Sequence, residues 1–163
     1  MQAITPFLWF DDQAEEAAQH YVSIFENSRI LDVSRNGEGG PGPAGSVLTV
    51  RFELDGLELQ ALNGGPHFHF TEAISLFVSV ESQEEVDRLW DRLIEGGGEP
   101  SRCGWLKDRY GLSWQVVPTA LSELMGDPDP ARASRATQAM LGMSKIDIAA
   151  LRAAADGVPP VQV

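Results

Sequence analysis

Thr5 to Phe10 is a continuous apolar and aromatic run that Asp11 and Asp12 end abruptly, the pattern of a buried strand. A helical period follows, with Ala14, Ala17, Ala18, Tyr21 and Phe25 on one face. Asp12 and Glu15 have the spacing of a capping box that would start this helix. Arg29 to Ser34 returns to strand-like content through Ile30 and Val33, and Asn36 to Gly45, dense in Gly and Pro, interrupts regular structure. Ser46 to Leu54 and Leu57 to Leu62 then flank Asp55-Gly56, a dipeptide suited to the positive φ angles of a two-residue hairpin turn.

The same order restarts at Ile74. Ser75 to Val80 is an apolar strand, Ser82 and Glu85 repeat the capping box, and Val86, Leu89, Trp90 and Leu93 form a helical stripe that Gly96, Gly97 and Gly98 terminate. Trp105 to Lys107, a turn at Tyr110-Gly111, and Ser113 to Val117 make a second ribbon, stopped by Pro118. Two strand-then-capped-helix units roughly 70 residues apart indicate an internal duplication. Beyond Pro118 the pattern is helical only: a short Leu121 to Met125, a break at Asp127 to Pro130, an Ala-rich Ala131 to Met143, and a last helix that Asp147 caps. This tail is expected to pack onto the domain or onto a second subunit.

Composition narrows the partners. With 24 acidic and 12 basic residues the 163-residue chain carries a formal charge of -12, which repels phosphate backbones and anionic head groups. No nucleic acid and no membrane are therefore expected as partners. No apolar stretch reaches the length of a bilayer span, and the single cysteine, Cys103, excludes an internal disulfide framework, so a reducing, cytoplasmic setting is expected. At 43% hydrophobic and 22% charged residues the chain has ordinary globular composition.

The run Cys103-Gly104-Trp105-Leu106-Lys107-Asp108-Arg109-Tyr110-Gly111-Leu112-Ser113-Trp114-Gln115-Val116-Val117-Pro118 resembles the PhnB-like branch of the glyoxalase, bleomycin-resistance and extradiol-dioxygenase superfamily. Leu62-Asn63-Gly64-Gly65-Pro66, Glu84-Glu85-Val86-Asp87 and Met143-Ser144-Lys145-Ile146-Asp147 resemble the same branch, which often carries the label 3-demethylubiquinone-9 3-methyltransferase. The resemblance implies an α+β fold of two βαβββ modules, 1–70 and 71–118, whose curved mixed sheets enclose a cavity, usually in a homodimer. Residues 119–163 would be a C-terminal helical extension. It also implies a divalent metal held by His or Glu from the first strand of each module and the last strand of each ribbon. By register the matching residues are Thr5, Leu59 or Gln60, Ser75 and Gln115, which offer no imidazole and no carboxylate. Two amides and two hydroxyls bind a divalent ion poorly, so no metal and no other cofactor is expected.

Other constellations have blander readings. His67 and His69 would point the same way from an extended segment and could share a metal, but no third ligand is evident beyond Glu72, and two solvated histidines in a polar turn is the simpler account. Cys103 beside Arg102 has a possible route to a reactive thiolate, against the commoner role of a small buried residue. Gly37, Gly39 and Gly42 have G-x-G-x-x-G spacing but run into Pro43 and a strand rather than a helix, so a flexible loop is expected. Trp105, Trp114 and Phe77 could form an aromatic platform or simply core. Gln115 sits where a strand should be apolar and needs a partner if buried. The expectation is a protein that binds a small organic molecule through Gln115, Gln60, Ser75, Thr5, Trp105 and Trp114 without a metal. The alternatives are an enzyme of the same superfamily, a lyase, dioxygenase or methyltransferase, and a dimeric scaffold whose cavity is filled by side chains.

Overall fold

The computed structural model describes residues 2–159, in two compact units, Met1–Phe70 and Thr71–Val163. In the first, β1 (Phe7–Phe10), α1 (Ala14–Ile24), β2 (Arg29–Arg35), β3 (Val47–Leu54) and β4 (Leu57–Asn63) form one helix on a mixed sheet of order β1-β4-β3-β2. β1 runs parallel to β4, and the other pairs are antiparallel. Strict alternation puts Val50, Phe52 and Leu54 of β3 and Leu59 and Ala61 of β4 in the core. Against them lie Ala14, Ala17, Ala18, Tyr21 and Ile24 of α1. The alanines let the helix approach the sheet, and the Tyr21 and Phe52 rings stack at an angle with centroids 6.3 Å apart. The β3–β4 turn has φ of 45° at Asp55 and 83° at Gly56, as the dipeptide predicts.

The start of α1 differs from expectation. The N-cap is Gln13, which makes no side-chain cap bond, and Asp12 forms no box with Glu15. The first helical N–H, that of Ala14, instead donates to Asn63 Oδ1 at 2.8 Å, while Asn63 Nδ2 donates to the Val47 carbonyl at 3.2 Å. A side chain at the end of β4 thus takes the capping role that local spacing assigns to Asp12. Asn63→Ala is accordingly expected to cost about 1–2 kcal/mol, the range of a lost helix cap. Asp12→Ala is expected to stay within about 0.5 kcal/mol. Urea denaturation of the two variants checks this, and the reverse order would restore the local box.

The second unit repeats the arrangement with β5 (Ser75–Val80), α2 (Gln83–Ile94), β6 (Glu99–Pro100), β7 (Trp105–Lys107) and β8 (Ser113–Pro118), in sheet order β5-β8-β7-β6. β5 is parallel to β8, as β1 is to β4. Here the capping box forms: Ser82 Oγ accepts from the Glu85 N–H, and the Glu85 carboxylate accepts from the Ser82 N–H. Val86, Leu89, Trp90 and Leu93 of α2 are buried, as are Leu106, Trp114 and Val116 on the sheet. Two four-stranded mixed sheets with flanking helices agree with the predicted fold class.

The helices α3 (Thr119–Met125), α4 (Pro130–Leu141) and α5 (Ile148–Ala155) follow in the same unit. Val117, Leu121, Ile146 and Leu151 form their shared core, with Met140 and Met143 packed against it. Burying each such side chain is worth about 1.5–3 kcal/mol. Asp129 and Asp147 cap α4 and α5 through the N–H groups of Ala131 and Ala150, each at 2.9 Å. The segment is tied to the sheet by backbone: the N–H groups of Cys103 and Gly104 donate to the carbonyls of Met143 and Ser144, both at 2.8 Å. No helix among the described residues is long and apolar enough to cross a membrane.

Candidate functional site

Each sheet buries one face beneath its helix, so the residues between the core positions mark the other face. On β4 that alternation resolves the choice between Leu59 and Gln60: Leu59 is fully buried opposite Phe52, while Gln60 lies on the open face opposite Phe7 and Arg51. On β8 it separates Trp114 and Val116, in the core, from Ser113 and Gln115. Gln115 lies in register with Phe77 on one side and Trp105 on the other.

The predicted polar residues come together as two pairs, one in each unit. Gln60 Nε2 donates to Thr5 Oγ1 at 3.1 Å, and Gln115 Nε2 donates to Ser75 Oγ at 2.9 Å. In both units the hydroxyl residue precedes by two positions a phenylalanine that is exposed although apolar, Phe7 at 51% and Phe77 at 58%. The pairs are therefore equivalent in the duplicated fold. Each amide N–H satisfies its hydroxyl oxygen. The amide carbonyl and the hydroxyl proton have no partner among the described residues, so each pair offers one acceptor and one donor side by side. Such a pair complements a neutral polar group better than an ion.

Ser113 extends the second pair and was not anticipated from the sequence. It is in register with Ser75 across the β5–β8 ladder, is 1% exposed, and its Oγ has no hydrogen-bond partner among the described residues. The signal available was its spacing of two from Gln115 on the same strand face. Lys107, in register with Ser113, forms an ion pair with Glu72 that holds the Glu72 carboxyl below, and the Lys107 ammonium above, its ordinary range through their mutual hydrogen bond. In the first unit the corresponding strip carries charge: Arg51 Nη2 donates to Glu58 at 2.9 Å.

Three predicted site residues are placed elsewhere. Trp114 is 1% exposed, and its Nε1–H donates to Asp108 Oδ2 at 2.9 Å, so it belongs to the core face and not to the face of Gln115. Trp105, half-buried, shares the face of Gln115. His67 and His69 lie in a turn and coil after β4 rather than in an extended strand, and Glu72, the third residue considered with them, is the partner of Lys107. Cys103 occupies a left-handed turn, φ 58°, whose backbone holds the C-terminal segment. Gly37, Gly39 and Gly42 lie in a loop that leads into β3, without a helix for a phosphate to approach.

The metal implied by the resemblance finds no fitting donor set. Thr5, Gln60, Ser75 and Gln115 supply only neutral oxygens and nitrogens, already paired with one another, and no three His, Cys, Asp or Glu side chains among the described residues are placed to hold an ion.

A family model described as 3-demethylubiquinone-9 3-methyltransferase matches residues 2–117, leaving α3 to α5 outside the match. Among solved structures the chain is similar to the PhnB protein from Bacillus cereus, at 38% identity and a TM-score of 0.66, over 72% of this chain and 99% of that one. It is similar in fold to a protein from Pseudomonas aeruginosa, at 22% identity and a TM-score of 0.59 over 72% and 98% of the two chains. It is also similar in fold to the fosfomycin resistance protein FosX from Listeria monocytogenes, at 16% identity and a TM-score of 0.50 over 72% and 93%. No curated protein matches.

Proposed function

Because the chain belongs to the family described as 3-demethylubiquinone-9 3-methyltransferase, PhnB-like and built on the glyoxalase fold, we propose that it binds a small, neutral organic molecule on the open sheet face, without a divalent metal. The observation that carries this reading is the Gln115–Ser75 pair beside exposed Phe77 and half-buried Trp105. An aromatic surface next to one fixed donor and one fixed acceptor is the usual make-up of a small-molecule site. The orphaned Ser113 hydroxyl supports it further, because a buried polar atom without a partner is destabilising unless something bonds it. Gln60, Thr5 and Phe7 repeat the arrangement in the first unit. A homodimer, as is usual for the fold, is part of the proposal, and light scattering of the purified protein tests it.

Methyl transfer, the reaction in the family's description, would need a place for a methyl donor. The glycine-spaced loop leads into β3 and supplies no helix N-terminus. S-adenosylmethionine is therefore expected to leave the melting temperature unchanged, and clear stabilisation would overturn that expectation.

Native mass spectrometry of the protein as isolated tests the binding site. A non-covalent organic adduct is expected in the parent protein and absent from Gln115→Leu, a variant that keeps the side-chain volume and stays within about 1 kcal/mol of the parent in stability. An adduct that survives Gln115→Leu and Ser75→Ala alike would place the ligand elsewhere. Stoichiometric zinc, nickel or iron on metal analysis would refute the metal-free reading.

A further inference from the structure

Given the small-molecule site read above on the open face of the second unit, on which this inference rests, we propose that its ligand is a lactam, a flat ring carrying an amide N–H and C=O on one edge. The polar floor of the site is the Gln115–Ser75 pair, joined at 2.9 Å. With Gln115 Nε2 donating to Ser75 Oγ, the amide oxygen is left as an acceptor and the hydroxyl proton as a donor. Exchanging the amide oxygen and nitrogen swaps the two roles: Ser75 then donates to the amide oxygen, and the NH2 group and the hydroxyl lone pairs remain. Either orientation presents one donor next to one acceptor, so the complement is the same for both.

Few chemical groups carry that complement. An ionised carboxylate has acceptors only and would set one oxygen against the acceptor of the pair, in a chain whose net charge of -12 also repels it. An ammonium has donors only. A hydroxyl has both functions, but on a single oxygen. An open-chain secondary amide is trans, with its N–H and C=O on opposite sides. Closing the amide in a ring holds both on one side, so that the C=O accepts from the donor of the pair while the N–H gives to its acceptor.

The walls of the site select a flat ring. Phe77 and Trp105 are the register partners of Gln115 on β5 and β7, so the three share a face with the glutamine between the two aromatics. Strands two apart are separated by about 9.5 Å, and a ring in contact with both walls needs about 3.5–4 Å on each side. One flat ring fits, standing on its polar edge. The first unit lacks the second wall: Gln60 has Phe7 on one side and Arg51 on the other, and Arg51 is tied to Glu58 by two N–H donors at 3.2 and 2.9 Å. The Gln60–Thr5 pair thus has the same donor and acceptor with a charged group in place of a ring, and one lactam per chain is expected.

The probe is oxindole, a flat benzo-fused lactam, titrated into the full chain and followed by calorimetry and by the side-chain amide signals in NMR. One oxindole per chain is expected, with the largest shifts at the Gln115 amide and the Trp105 indole. N-methyloxindole keeps the ring and the C=O but has no N–H, and is expected to bind at least about tenfold more weakly because it leaves the acceptor of the pair unmet. Ser75→Ala is expected to weaken oxindole binding about tenfold. Phe77→Leu, at an exposed position where folding is little affected, is expected to weaken it about threefold or more. Equal binding of oxindole and its N-methyl analogue, shifts as large at Gln60 as at Gln115, or no binding at millimolar oxindole would each overturn the lactam assignment. In the last case a native adduct that Gln115→Leu still removes would keep the small-molecule site and refute its ligand class alone, whereas an adduct indifferent to Gln115→Leu would refute both.

Discussion

Asp108→Ala is expected to destabilise the second unit by about 3–5 kcal/mol, since several donors lose one shared acceptor and each such loss costs about 1–3 kcal/mol. Asp108 is 3% exposed, yet it is fully engaged. Its Oδ1 accepts from the N–H groups of Tyr110 at 2.9 Å and Leu112 at 3.1 Å, and its Oδ2 accepts from Trp114 Nε1–H at 2.9 Å. The same residue closes the β7–β8 turn through its backbone, with Asp108 N–H to Leu112 O and Gly111 N–H to Asp108 O, both 2.9 Å. Alanine would keep the backbone bonds and remove the carboxylate that accepts from three donors, two of them buried. Asparagine keeps one acceptor oxygen and sets its NH2 against the remaining donor, so Asp108→Asn is expected to fall between parent and alanine. The effect should reach the candidate site, because Trp114 and the turn set the position of β8, and with it Gln115 and Ser113. Urea denaturation followed by tryptophan fluorescence measures the change. A loss under about 1 kcal/mol for alanine would mean that the turn stands without the carboxylate.

Asp108 also illustrates what sequence patterns can and cannot disclose. Its place in a strand-turn-strand ribbon was legible from the Tyr110-Gly111 dipeptide. Its role was not, because a buried aspartate differs from a solvated one only through the donors that the folded turn brings to it. The two helix starts make the same point from opposite sides. Ser82 and Glu85 cap α2 because both partners lie within one turn and the geometry is local. Asp12 and Glu15 have the same spacing, but Asn63 arrives from 49 residues away and takes the N–H of Ala14. Tertiary structure overrides a local signal that is otherwise sound.

The candidate site shows where the boundary falls. Period-two alternation is a strong signal within a strand, but its phase depends on which face meets the helix. Register left Leu59 and Gln60 both open, and the buried partner Phe52 decides for Gln60. Trp105 and Trp114, alike as aromatics in one motif, part company because they sit on opposite faces of adjacent strands. The positions Thr5, Leu59 or Gln60, Ser75 and Gln115 followed from the resemblance, and their pairing did not. The mutual hydrogen bonds and the equivalent exposed phenylalanines emerge only from the coordinates. β6, two residues long at Glu99–Pro100, is too short to carry any period and had no sequence signal.

Gly98→Ala is the second substitution expected to have a large effect, about 3 kcal/mol or more, beyond the usual range for adding one carbon to a packed interior. Gly96, Gly97 and Gly98 read alike as a helix terminator, but they are held by different constraints. Gly96 and Gly97 have φ of 80° and 121°, a conformational demand, with Arg109 as their side-chain neighbour. At Gly98 a Cβ would stand 2.6 Å from Ile94 Cα, 2.7 Å from Lys107 O and 2.9 Å from Ile94 O. All three are backbone atoms, so no rotamer change can relieve the clash. The chain must pass here between the end of α2 and β7, where Gly98 N–H bonds Ile94 O at 2.8 Å before Glu99 enters β6. Widening that gap pulls the helix from the sheet that carries Gln115. Gly56→Asn gives the contrast: φ is 83° in open space, and asparagine tolerates the left-handed region, so about 1 kcal/mol or less is expected. Equal losses for the two variants in urea denaturation would show that backbone conformation, and not the close approach of helix and strand, sets the requirement for glycine at position 98.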